Sequence, residues 1–103
     1  VAQRIHARWP QGRAIMFGHI ADGNLHLFVQ PESPDADHDA SDEAVYGPLK
    51  AIGGSVSAEH GIGVEKRGWL GWSRNETELA LMRTLKHALD PRNLLNPGRV
   101  IEL

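Results

Sequence analysis

The chain has 103 residues, a formal net charge of −2 and a pI near 6.3, with no basic cluster. Nucleic acid and anionic membrane surfaces are therefore excluded as main partners. It has no cysteine, which rules out disulfides, thiolate-held zinc and thiol catalysis, and its six histidines are the compositional oddity. Any metal must be held by imidazole and carboxylate, and the missing cysteines fit a reducing compartment. No run approaches the ~20 apolar residues of a membrane-spanning helix, and no signal peptide is visible. The length allows one small domain with a modest core. A start at Val1 rather than Met is expected of a piece of something longer.

Val1 to Arg8 reads as the tail of a helix, stopped before Trp9-Pro10 because proline disfavours helical backbone at the residue before it. After a turn at Gln11–Arg13, Ala14–Gly18 and Leu25–Gln30 read as two strands joined through Asp22-Gly23, a strong hairpin signal. Centring the turn there, or using a four-residue loop over Ala21–Asn24, pairs His19 directly with His26 and Phe17 with Phe28. The opposite face carries Met16, Ile20, Leu25 and Val29, an apolar set fit to meet a core. Two imidazoles then stand within reach of one small ion. The hairpin alone serves equally well as a solvated histidine pair beside a turn.

Pro31–Asp42, rich in Pro, Ser and Asp, reads as an exposed, mobile loop containing His38. A helix is expected over Ser41–Ile52, with Val45, Leu49 and Ile52 on one face. Pro48 lacks the N–H for Ala44, so this helix either kinks there or begins one turn later. Ser55–Ser57 can enter a short strand. Adjacent Glu59 and His60 would point to opposite faces of a regular strand, but Gly61 and Gly63 allow a bend that turns both toward one site. The plain alternative is a surface Glu-His pair at a strand end. Val64–Leu70 suggests a short helix whose Glu65, Lys66 and Arg67 are a solvated face or, for the two cations, an anion contact. Asn75–Leu89 is the clearest helix, with Asn75 and Glu78 in capping-box spacing and Leu79, Met82, Leu85 and Leu89, with Leu81 and Ala88, as a broad apolar stripe read as core. Asp90-Pro91 stops it. Gly61-x-Gly63 lacks the third glycine and the context of a dinucleotide-binding loop.

Three segments, in order, carry a resemblance: Gly18-His19-Ile20-Ala21-Asp22-Gly23-Asn24-Leu25-His26, Gly54-Ser55-Val56-Ser57-Ala58-Glu59-His60-Gly61-Ile62-Gly63, and Asp90-Pro91-Arg92-Asn93-Leu94-Leu95-Asn96-Pro97-Gly98. Together they resemble the C-terminal region of the FAD-linked oxidases of the vanillyl-alcohol-oxidase type, near the D-lactate and D-2-hydroxyglutarate dehydrogenases and the glycolate oxidase flavin subunit. The resemblance implies that residues 1–103 are an α+β fragment, a small antiparallel sheet covered by helices, from the C-terminal part of a ferredoxin-like cap domain whose FAD-binding domain is absent here. It implies that His19, His26 and Glu59 bind a divalent metal, usually zinc. It further implies that His60 is the catalytic base, that Asn24 lies by the substrate and that Asn96 lies near the flavin ring. The implied reaction is oxidation of a D-2-hydroxy acid to a 2-oxo acid with hydride transfer to FAD.

Expected partners are a small 2-hydroxy acid, the protein's own FAD-binding domain and an electron acceptor, with self-association over bare apolar surface allowed. The setting implied is cytoplasmic, or mitochondrial in a eukaryote, and the isolated chain is expected to be inactive. The competing reading is a stand-alone metal-binding or interaction module without flavin chemistry. Asn96-Pro97-Gly98 favours the flavoprotein, because a free module has no need to meet a flavin.

Overall fold

Helix α1 (Ala2–Arg8) ends as the proline rule dictates: Trp9, before Pro10, is extended at φ −132°, ψ 91°, and its N–H still reaches the Ile5 carbonyl at 2.8 Å. The computed structural model describes residues 1–32 and 38–103, in two units, Val1–Ile52 and Gly53–Leu103. In the first unit, β1 (Arg13–His19) and β2 (Asn24–Gln30) form an antiparallel hairpin, as the α+β expectation required.

The register differs from the expected one. Phe17 faces His26 and His19 faces Asn24, so the loop is Ile20–Gly23 and the histidines are diagonal neighbours rather than a direct pair. Gly23 closes the loop at φ 69°, and Asp22 Oδ1 accepts the Asn24 N–H at 3.1 Å. Gly18 fixes the register more firmly. A Cβ there would lie 2.0 Å from the Asn24 carbonyl oxygen, so only glycine lets the strands close in this way. The slip is of two residues, and two-residue periodicity returns every side chain to its expected face.

Helix α2 (His38–Ile52) starts three residues before the expected Ser41, and its first residue is the histidine assigned to the loop. Of that loop, residues 33–37 lie outside the described residues. The helix continues through Pro48 instead of starting after it. The Ala44 carbonyl, which Pro48 cannot serve, accepts Arg4 Nε from α1 at 3.2 Å. Ala40 and Ala44, one turn apart, are buried, and α1 packs on α2 and on β1. Ile5 is fully buried (0% exposed), worth about 2–3 kcal/mol of transfer free energy. Helix cover of the sheet thus comes in this unit from α1, while Met16 and Leu25 remain exposed.

The second unit opens without the expected strand at 55–57. The Val56 N–H is satisfied by Ser73 Oγ at 2.8 Å instead of by a neighbouring strand. The short helix expected at 64–70 is a turn over 63–66 followed by a 3-10 helix, Arg67–Trp72, where Trp69 and Trp72 meet edge to face at 4.8 Å. Helix α3 (Glu76–Leu89) keeps closely to its sequence signal. Asn75 Oδ1 accepts the Glu78 N–H at 2.9 Å, and Glu78 Oε2 accepts the Asn75 N–H at 2.8 Å. Its stripe is not all core, however. Leu79 is buried, whereas Leu81, Leu85 and Leu89 are exposed, the last at 83%.

Asp90 ends α3 and anchors the next loop. Its buried carboxylate accepts Lys86 Nζ and the N–H groups of Leu94 and Leu95, the latter two at 2.9 and 2.8 Å. The tail is pinned by Arg67, which donates to the Gly98 carbonyl at 2.6 Å and pairs with Glu102 at 2.7 Å. Among the described residues, no helix is long and apolar enough to cross a membrane.

Candidate functional site

In the first unit the hairpin positions three of the residues singled out by sequence. Alternation puts His19, Asn24 and His26 on one face, with Ile15, Phe17 and Phe28. His26 stacks on Phe17 with ring centroids 5.0 Å apart and planes 12° from parallel, and Phe17 stacks on Phe28 at 5.7 Å. An aromatic ladder therefore fixes the plane of the His26 imidazole. His19 sits at the loop mouth, 4.0 Å from Asp22 Oδ2, and both side chains are well exposed. Such an exposed pair adds little to stability. The direct His19–His26 pairing is corrected to a diagonal one, about 7–8 Å between positions, which long side chains can still span.

In the second unit, Glu59 and His60 occupy an irregular loop rather than a strand. Freed from strict alternation, the two side chains turn toward each other, with His60 Nε2 3.7 Å from Glu59 Oε1. The Ser57 hydroxyl spans the base of this loop, donating to the Gly61 carbonyl at 2.7 Å, and Gly61 turns the chain at φ 80°. Lys66, one of the two cations offered as an anion contact, donates to Ser57 Oγ at 3.3 Å.

Asn96 lies in the loop after α3 and takes left-handed backbone at φ 48°, which asparagine tolerates better than most residues. It borders an open, mainly apolar groove of about 550 Å³ lined by Gly63, Met82, Leu85, Leu95 and Ile101, among others. The Lys86 ammonium beside Asp90, helped by the Leu94 and Leu95 amides, lowers the Asp90 carboxyl from 3.8 to about 2. Asp90 thereby holds the loop that carries Asn96. Sequence reasoning saw in it only a helix stop, and the signal for more was a carboxylate placed one turn after Lys86. Ser57 carried no such signal, because its hydroxyl serves a backbone carbonyl four residues on, a contact that no short motif marks.

Residues 1–100 match the family described as FAD linked oxidases, C-terminal domain. Among curated relatives, a D-2-hydroxyglutarate dehydrogenase of Xanthomonas citri pv. viticola is 43% identical over 95% of this chain and 22% of its own length. A mitochondrial D-2-hydroxyglutarate dehydrogenase of Danio rerio is 42% identical over 82% of this chain and 16% of its own. A probable mitochondrial D-lactate dehydrogenase of the same fish is 38% identical over 84% of this chain and 18% of its own. The chain thus spans about a fifth of the length of these relatives. With a match that runs over nearly all of its residues, the chain belongs to the family of FAD linked oxidases, C-terminal domain.

Proposed function

We propose that this chain is the substrate- and metal-binding C-terminal part of an FAD-dependent dehydrogenase that oxidises a D-2-hydroxy acid to the 2-oxo acid. The observation that carries the reading is the family match over residues 1–100. The relatives' names support the substrate class, with D-2-hydroxyglutarate first and D-lactate second. Family membership favours this reading over a stand-alone binding module.

The donor chemistry fits a divalent ion. Two imidazoles share one hairpin face and a carboxylate is presented by an irregular loop, a set of two histidines and one glutamate suited to zinc with a position left for substrate. In this reading His19, His26 and Glu59 hold the metal, and FAD is bound mainly by the part of the protein beyond this chain. When bound, the metal supplies Lewis acidity at the hydroxy-acid oxygens and FAD supplies a two-electron acceptor. His60 accepts the substrate hydroxyl proton on its imidazole as the Cα–H bond pair leaves as hydride, which balances the oxidation to a carbonyl. Asn24, next to the loop mouth, hydrogen-bonds substrate oxygen, and Asn96 borders the flavin.

The test uses the full-length protein loaded with FAD, stripped of metal by chelation and then titrated with zinc. D-2-hydroxyglutarate and D-lactate are supplied with a dye acceptor. Zinc should restore turnover, and His19→Ala, His26→Ala or Glu59→Ala should each prevent that rescue. His60→Ala should retain zinc and lose turnover. Loss of zinc in His60→Ala with retention in Glu59→Ala would reverse the two roles. Failure of the flavin-loaded protein to oxidise any D-2-hydroxy acid would refute the reading as a whole.

A further inference from the structure

We propose that Ser57 is a positioning residue for the Glu59–His60 pair, its hydroxyl closing the loop from which both side chains project. The inference rests on the proposed function, in which Glu59 is a metal ligand and His60 the base. The problem it answers is set by the sequence. Neighbouring residues on a strand diverge to opposite faces, yet these two side chains meet at 3.7 Å. Something must hold the backbone in a bend, and glycine alone only permits one.

The hydroxyl provides that hold. A serine hydroxyl has one proton to give and two lone pairs to offer. Here the proton goes to the Gly61 carbonyl at 2.7 Å, tying residue 57 to residue 61 across the pair. One lone pair accepts Lys66 Nζ at 3.3 Å. Lys66 is itself fixed by the adjoining turn, its N–H donating to the Ile62 carbonyl at 3.2 Å. Upstream, Ser55 Oγ donates to the Ser57 carbonyl at 2.8 Å and holds the peptide that carries the hydroxyl. The loop is thus fastened at both ends, with Glu59 and His60 between the fastenings. A ligand presented by a fastened loop binds without first ordering the backbone, which is how supporting hydrogen bonds raise metal affinity.

The experiment measures zinc affinity of the metal-free full-length protein by competition with a chromophoric chelator, alongside the melting temperature of each metal-free variant. Ser57→Ala should weaken zinc binding about tenfold, while Ser57→Thr, which keeps the hydroxyl, should stay within about threefold of the parent. Lys66→Met should fall between them, and it carries the test if Ser57→Ala does not fold. Glu59→Ala serves as the control and should lose zinc. Equal weakening by Ser57→Ala and Ser57→Thr would assign the effect to loop packing and overturn the proposal. So would parental affinity in Ser57→Ala with zinc lost in Glu59→Ala, leaving the metal assignment intact. Parental affinity in Glu59→Ala would overturn that assignment, and the role of Ser57 with it.

Discussion

Gly18→Ala is the sharpest perturbation of the hairpin that carries His19, Asn24 and His26. The added Cβ would sit 2.0 Å from the Asn24 carbonyl oxygen, where real Cβ contacts essentially never fall below 3.0 Å. The obstacle is backbone, so no side-chain rotation relieves it, and β2 must move away by at least 1 Å or the register must slip. Overpacking of this kind costs roughly 1–3 kcal/mol. Gly23→Ala provides the contrast. Its Cβ would meet nothing within 4 Å, and its penalty is conformational, from φ 69°, about 1 kcal/mol. Urea unfolding of the full-length protein should therefore rank Gly18→Ala below Gly23→Ala. Zinc affinity should fall more in Gly18→Ala, because the displaced backbone belongs to the strand bearing His26. Parental stability and zinc affinity in Gly18→Ala would refute the close approach and the register drawn from it.

Other perturbations probe the helices and the Asp90 anchor. Arg4→Met keeps the aliphatic stem but leaves the Ala44 carbonyl without its donor, and should cost about 1–3 kcal/mol. In a Pro48→Ala background that cost should shrink, since residue 48 regains the N–H that serves Ala44, and a double-mutant cycle by urea unfolding reads the difference. Asp90, held by Lys86 and two amides, has a folded pKa of about 2, below its ordinary 3.8. The unfolded state therefore binds the proton more readily, so the contribution of Asp90 is fully present above about pH 4 and fades as pH falls through about 2. Asp90→Asn should flatten that part of the stability–pH curve, and an unchanged acid limb would contradict the assignment. Asn75→Ala removes the cap on α3 and should cost about 1 kcal/mol by denaturant unfolding.

What the sequence could tell depended on how far apart the deciding atoms were. Asn75 and Glu78 form their reciprocal cap within one turn, and the start of α3 was legible for that reason. The faces of the hairpin were legible too, because alternation survives a two-residue slip. The register itself was not, since it turns on Gly18 meeting the Asn24 carbonyl across the loop, and no turn dipeptide encodes that approach. Pro48 posed a question that its own neighbourhood could not answer. The donor that serves the orphaned Ala44 carbonyl is Arg4, 40 positions earlier, and an arginine in a short N-terminal helix announces no such partner.

The candidate site divides along the same line. The resemblance named His19, Asn24, His26, Glu59, His60 and Asn96, residues that chemistry makes conspicuous. It passed over Ser57, Lys66 and Asp90, whose work is done by hydrogen bonds to backbone and to one another. Strand propensity at Ser55–Ser57 misled for a related reason. A strand needs a partner, and the Val56 N–H found one in the Ser73 hydroxyl, which leaves the next residues free of alternation. The failure of that strand is what permits an adjacent glutamate and histidine to meet. Sequence patterning marks the side chains able to do chemistry, whereas the contacts that aim them are fixed only when distant backbone atoms find their donors.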